Sequence, residues 1–387
     1  MSLDGSLLYR MKETHQFSYW EKTEWLSPPD LLIVGGGITG SSAALFYKEA
    51  FPEHDVLLVD RGFAPNGAST RNAGFACIGS ISEHLADIKT AGEETVFNRI
   101  ERRWKGLQLL RETVGDIAMD YRHTGGFEIF TEEERFLICR EQIPEMNRKL
   151  EERLGLEEVY SETECNGYPA IKNRVEGAIN SGKLIRTLHK KIADLGVRIW
   201  WNSPVKRADE EGVLFENGLQ LFPKKTVLAV NGFHSRLAKS VVEPARGYIF
   251  VTKPLEEMSW KGTFHYNEGY VYFRDVGDGR LLLGGGRNVD KEGETTHQFG
   301  TNEKIRSYLI DFASKTLKLH DNWEIEMEWS GIMGMTPDKE PVIEESRPGI
   351  WSAAGLSGMG IAIGMQVARE LVQKMKQEFP ADIADNR

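Results

Sequence analysis

The chain has 387 residues, 40% hydrophobic and 27% charged, with a formal net charge of −10. That length exceeds one compact core and calls for two domains. The acidic balance disfavours nucleic acid or an anionic membrane surface as the main partner. No apolar stretch is long enough for a transmembrane segment and the N-terminus lacks the apolar core of a signal peptide, so a cytoplasmic location is expected. Cys77, Cys139 and Cys165 lie far apart. No C-x-x-C spacing supports a zinc site or a disulfide framework, and no metal is expected.

Residues 1–27 read as a polar, aromatic arm ahead of Pro28-Pro29. Leu31–Val34 is an apolar strand that runs into Gly35-Gly36-Gly37-Ile38-Thr39-Gly40, followed by a small-residue helix and a second strand, Val56–Val59, ending at Asp60. This is a βαβ unit with G-x-G-x-x-G at its first turn and an acid about twenty residues beyond the last glycine, the pattern of dinucleotide binding. Gly35 permits the tight turn, Gly37 lets a pyrophosphate approach the backbone, and Gly40 allows close helix packing. Ile38 and Thr39 open the helix, whose unpaired N–H groups suit phosphate. Asp60 can accept from ribose hydroxyls, and Arg61 follows it.

A glycine- and asparagine-rich loop spans 61–79. A charged helical region is predicted from Ser82 to Val114, with Val96, Ile100, Trp104, Leu107 and Leu110 at helical spacing. Phe127–Phe130 reads as a strand and Glu132–Leu154 as a charged helix. A helix over Lys183–Leu195 leads through Gly196 to a strand, Val197–Trp201. Two short strands with a hairpin at Asn217-Gly218 follow, then a buried strand, Thr226–Val230. Beyond Ala245, short strands (Tyr248–Thr252, Tyr270–Arg274, Arg280–Leu283) suggest an antiparallel sheet. A last strand, Ile350–Ala353, enters a second glycine-rich turn, Gly355-Leu356-Ser357-Gly358-Met359-Gly360-Ile361, before a helix reaching about Gln377.

Taken in order, five segments resemble the FAD-dependent amino acid and amine oxidases, the group of D-amino acid, glycine, sarcosine and γ-glutamylputrescine oxidases. They are the Leu31–Asp60 unit; Gly67-Ala68-Ser69-Thr70-Arg71-Asn72-Ala73-Gly74; Ser203-Pro204-Val205; Pro244–Tyr248 with Tyr272-Phe273-Arg274 and Asp278–Gly285; and Gly355–Gly360. The resemblance implies an α/β plus α+β fold, with a Rossmann-like FAD-binding domain and a discontinuous antiparallel-sheet substrate domain. The expected division is 28–80, 171–244 and 325–379 for FAD, and 81–170 with 245–324 for substrate.

The resemblance also implies roles. Ser69, Arg71, Asn72 and Ala73 would line the phosphates and the flavin, and the backbone of Val205 the adenine. The turn holding Gly355, Ser357, Gly358, Met359, Gly360 and Ile361 would set N–H groups against the flavin edge that gathers negative charge. Tyr248, Tyr272 and Arg274 are candidates for the substrate face, with His265 behind them and the Phe75–Ser80 loop close by. FAD is expected to be non-covalent, because every cysteine precedes Asn166. The expected substrate is an amine or amino-acid-like molecule, and the acceptor is oxygen or another oxidant.

Two departures stand out. Met333 falls where the amino acid oxidases carry a carboxylate-binding arginine, and Leu282 where sarcosine oxidases carry an oxygen-activating lysine. From the residues alone, a nicotinamide-dependent dehydrogenase and a flavin-binding protein with little turnover remain alternatives.

Overall fold

A computed structural model describes residues 9–10 and 16–377. Much of the expected arm (1–8 and 11–15) and residues 378–379 of the expected FAD segment lie outside the described residues.

Two large sheets organise the chain. The first has six strands in the order Val342–Arg347, Ile350–Ala354, Lys225–Leu228, Leu31–Val34, Val56–Val59 and Arg198–Trp200. All neighbours are parallel except the first pair. Leu31–Val34 and Val56–Val59 are buried at every position. Such unbroken apolar runs belong to strands covered on both faces. Leu31, Ile33, Val56 and Leu58 pack beneath the first helix (Ile38–Ala50), the last helix (Gly360–Gln377) and Ser181–Asp194. Leu32, Val34, Leu57 and Val59 instead meet Val213, Phe215 and Leu221 of a small four-stranded antiparallel sheet. Tyr9–Arg10 of the expected arm adds its outer strand.

The second sheet has eight strands in the order Ile325–Met335, Glu243–Thr252, Leu281–Gly285, Val271–Asp275, Thr263–Tyr266, Gly126–Ile129, Tyr168–Asn173 and Tyr160–Cys165. It is antiparallel apart from the pairing of Thr263–Tyr266 with Gly126–Ile129. One face carries Tyr248, Phe250, Phe264, Phe273 and Leu283 beneath the helix Glu303–Lys315. The other carries Ile249, Val251, Leu282, Tyr272 and Trp329.

Several expectations shift. The long helix breaks at Gly92, whose positive φ of 82° suits glycine, into Ile81–Ala91 and Glu93–Val114. The 132–154 helix breaks at Gln142, ahead of Pro144 in the first turn of the next helix. Ile325–Met335, expected in the FAD segment, pairs along its whole length with Glu243–Thr252 and so belongs to the eight-stranded sheet. The boundary expected at 171 falls inside the strand Tyr168–Asn173.

Candidate active site

The first glycine turn sits at the carboxyl end of Leu31–Val34, where open α/β sheets place ligands. Gly35 has φ 110°, and a Cβ there would stand 2.5 Å from the Ala229 carbonyl oxygen. Gly40 packs so closely on the Gly35 carbonyl that no side chain fits. At Gly37 a Cβ would stand 2.7 Å from Ser69 Oγ. Ser69 Oγ in turn accepts the Ile38 N–H at 2.9 Å. The helix entry and the 67–74 loop thus face each other across a gap kept clear by glycine, with Thr39 buried just inside it.

Asp60 holds the neighbouring corner. Its carboxylate accepts from the N–H groups of Gly36 and Gly62, each at 2.8 Å. The Ser203 N–H reaches the Asp60 carbonyl at 2.9 Å, which brings the half-buried Val205 alongside. Arg61 lies 3.8 Å from the centre of the Phe233 ring, and burial lowers its pKa. Two residues escaped sequence analysis. His189 meets the Gly36 carbonyl through Nε2 at 2.8 Å, and Trp201 packs edge-on to His189 and near Gly36. A polar residue beside Ile185, Leu188 and Ile192 on the buried stripe of Ser181–Asp194 was the available signal.

The 67–74 loop continues from this corner to the eight-stranded sheet. Asn72 braces it: its amide donates to the Ala68 and Ser69 carbonyls while its oxygen accepts from Gly74 N–H and Ser181 Oγ. Arg71 donates to the Ser330 carbonyl at 2.9 Å and lies over the Phe299 ring. Its Cβ would be 3.2 Å from one built on Gly331. Ala73 packs against Ile249, Val251 and Leu282.

The second glycine turn closes the far end. Gly355 (φ 79°), Ser357 (φ 46°) and Gly358 (φ 83°) all take left-handed backbone. Asn231 Oδ1 accepts from Gly355 and Leu356 N–H at 3.0 and 3.2 Å. The Ser357 N–H donates to the Gly334 carbonyl at 2.8 Å, and Met359 N–H to Leu356. Gly360 and Ile361 then begin the last helix, whose opening N–H groups have no partner within it. A Cβ on Gly358 would meet Met333 Sδ at 3.8 Å.

Between the two turns, glycines in the sheet let neighbouring groups lie directly on its backbone. Gly331 and Gly247 are register partners on adjacent strands, and Tyr272 lies opposite Gly284. The Tyr272 ring covers Gly284, while its hydroxyl and Met333 Cε come over Gly247, at 4.0 and 3.3 Å from a Cβ built there. Burial pushes the Tyr272 phenol up to about 12, so it is neutral near pH 7.

Two expected substrate-face residues are corrected here. Tyr248 points to the opposite face: strand alternation places it with Phe250 in the core under Glu303–Lys315, and its hydroxyl donates to Glu328. Arg274 is on the right face, but one guanidinium nitrogen is committed to the carbonyls of Ala73, Gly74 and Ile179 at 3.2, 2.8 and 3.0 Å. Burial, then the nearby Arg122, lowers its pKa to about 10. It staples the loop to the sheet and presents no free fork to a substrate.

Two glycine-kept helix entries joined by one loop are a cradle that fits a long dinucleotide. The sequence model of a family described as FAD dependent oxidoreductase, DAO, matches residues 30–374. The chain belongs to the DAO family of FAD-dependent oxidoreductases. It is 24% identical over 380 residues to γ-glutamylputrescine oxidoreductase of Escherichia coli, covering 91% of this chain and 85% of that one. It is 23% identical over 361 residues to the probable oxidoreductase OrdL of Haemophilus influenzae, covering 86% and 80%. Among solved structures, iminodiacetate oxidase of Chelativorans superposes with a TM-score of 0.73 at 15% identity, covering 91% and 97%. Glycine oxidase of Bacillus cereus gives 0.67 at 19%, covering 91% and 96%.

As a DAO-family member the chain is an FAD-dependent oxidoreductase. This removes the nicotinamide alternative. No helix among the described residues is long and apolar enough to cross a membrane.

Proposed function

We propose that this DAO-family chain oxidises the C–N bond of an amine that lacks a free α-carboxylate. The observation that carries the reading is Met333, whose thioether lies over Gly247 and beside Gly358 at the centre of the floor. A methionine offers no fork for a carboxylate. Its neighbours Ile249, Leu282 and Trp329 are equally uncharged, and Arg71 and Arg274 are engaged with backbone carbonyls. Such a wall favours the neutral amine over a zwitterion.

Bound FAD supplies the hydride acceptor, its N5. The residues of this chain would do the rest by placement. Gly37, Ile38, Ser69 and Asp60 would hold the pyrophosphate and ribose, Arg61 and Val205 the adenylate end, and Gly358–Ile361 the electron-rich flavin edge. Thr39, Asn72 and Ala73 would complete the lining. Tyr272 would take a hydrogen bond from the amine or give one to it and fix the α-carbon. Orientation and loss of the ammonium proton are the main demands, so no obligatory side-chain base is required. The FAD is read as non-covalent, since every cysteine precedes Asn166 in the sequence, far ahead of the Gly355–Gly360 turn, and the enzyme as cytoplasmic. The division into FAD and substrate segments follows the two large sheets, with Ile325–Met335 moved to the substrate side.

Anaerobic mixing with a panel of amines, N-alkyl amines and α-amino acids tests this. Rapid bleaching of bound flavin by amines without a carboxylate is expected. Faster bleaching by simple α-amino acids would overturn the substrate reading. No bleaching by any compound would favour a flavoprotein with little turnover. Peroxide formation in air then decides whether oxygen is the acceptor, a question raised by Leu282 on the site face of its strand.

A further inference from the structure

Beyond Tyr272 along the same sheet face, the apolar floor gives way to a buried polar cluster. Cys77 comes from the loop after Gly74, Glu176 from the segment before Gly177–Ala178, and His265 from the strand Thr263–Tyr266. Their donor atoms all lie within 4.8 Å of one another. The three residues are 8%, 1% and 8% exposed.

We infer that Cys77, Glu176 and His265 form a structural zinc site. The geometry within the cluster supports it. Glu176 Oε2 and His265 Nε2 are 3.2 Å apart. Two oxygen or nitrogen ligands held about 2.0–2.1 Å from one tetrahedral zinc are separated by about 3.3 Å. The other carboxylate oxygen, Oε1, accepts from Ile78 and Gly79 N–H at 2.8 and 2.9 Å, which fixes the orientation of Oε2 as an outer shell does around metal ligands.

A fourth position is available. Glu176 and His265, though not Cys77, line a small, partly open cavity with room for about one water, together with Glu128, Tyr160 and Asn173. These are the polar partners a metal-bound water needs. One thiolate and one carboxylate neutralise a divalent ion at the three ligands themselves, with the buried carboxyl of Glu128 beside them. A mixed sulfur, nitrogen and oxygen donor set suits zinc rather than magnesium or calcium. The ligands are spread too widely along the chain for spacing to reveal them.

The consequence is mechanical. The ion would tie the loop that follows Arg71–Gly74 to the substrate-side sheet, so the cofactor-lining loop and the floor would be fixed as one unit.

The test is made on the full-length flavoprotein grown with zinc. Metal analysis should find about one zinc per chain in the wild type, at least a tenfold loss in Cys77→Ser and in His265→Ala, and full retention in Cys165→Ser. Zinc K-edge absorption of the wild type should show one sulfur at about 2.3 Å with nitrogen or oxygen neighbours at about 2.0 Å. Zinc-free wild-type protein that takes up none on reconstitution, or a bound zinc with no sulfur neighbour, would overturn the proposal. Because the absorption measurement uses the wild type, a variant that fails to fold does not blunt it.

Discussion

Gly106 lies in the middle of the helix Glu93–Val114, where glycine costs about 1 kcal/mol relative to alanine. By propensity alone, Gly106→Ala should stabilise the chain. The structure predicts the reverse. A Cβ at Gly106 would stand 3.1 Å from the Ala362 carbonyl carbon, with the carbonyl oxygen closer still, and 3.3 Å from Gln366 Cβ. Ala362 is in the opening turn of the last helix, so the obstacle is backbone that cannot turn aside. The two helices must separate by on the order of 1 Å, and overpacking of this kind costs about 1–3 kcal/mol. With the propensity gain of about 1 kcal/mol subtracted, the net loss is about 0–2 kcal/mol, towards the upper end because the obstacle is backbone, and is read as a lower midpoint in thermal or urea unfolding. The displaced element carries the N–H groups of Gly360 and Ile361, so the flavin should also be released more readily, several-fold by equilibrium dialysis. Gly182→Ala, in the exposed first turn of Ser181–Asp194, serves as the control and should be neutral or mildly stabilising. An unchanged or raised midpoint in Gly106→Ala, with unaltered flavin retention, would refute the reasoning.

Four further outcomes are expected. Met333→Arg should lower KM for simple α-amino acids by roughly tenfold or more, since a charged hydrogen bond contributes about 1.5–3 kcal/mol; steady-state kinetics on paired substrates with and without a carboxylate measures it, and no shift in their ratio counts against the assigned position. Arg274→Met should strip the donor from three carbonyls and destabilise by about 3–5 kcal/mol, with flavin loss as the loop at Ala73–Gly74 loosens; a selective rise in KM with normal stability would instead indicate a substrate contact. Gly37→Ala should weaken flavin binding and also lower the urea midpoint of the flavin-free protein, because a Cβ there meets Ser69 Oγ at 2.7 Å with or without flavin and disturbs its hydrogen bond to the Ile38 N–H; an unchanged midpoint would count against this. In acid, the buried His84 and the partly buried Glu83 act in succession. Burial lowers His84 to about 4, below the ordinary 6.5, so the stability it contributes is present above pH 6.5 and is lost as pH falls towards 4, about 3 kcal/mol in all. Burial alone would raise Glu83, but Arg103 holds it down at about 2, so its contribution is present above pH 4.5 and fades as pH falls towards 2. Urea midpoints against pH should therefore fall from pH 6.5 downward, and His84→Gln should flatten the upper arm.

The βαβ unit and both glycine turns were legible because backbone approach demands glycine at fixed spacing whatever the tertiary context, whereas the 67–74 loop was legible only through its resemblance to the loop of the amine-oxidising relatives. The face of Tyr248 was not. In Tyr248–Thr252 every residue is buried, so the alternation that would separate site face from helix face is absent from the residue types. The hairpin joining Tyr160–Cys165 to Tyr168–Asn173 did carry a signal: Asn166-Gly167 adopts positive φ at both positions, 51° and 79°, as that dipeptide favours. The role of Arg274 was hidden for another reason. Its partners are carbonyls at 73, 74 and 179, and carbonyls have no residue identity to read.

The paired glycines Gly331 and Gly247 have an evolutionary consequence. Arg71 of the 67–74 loop lies directly on Gly331 and Met333 on Gly247, so neither strand contributes a side chain of its own at these two positions of the sheet. Reach and polarity are then left mainly to Met333 and Tyr272, which overhang it. A lineage built on this frame could change the compound it accepts through one or two codons while leaving the cofactor cradle untouched.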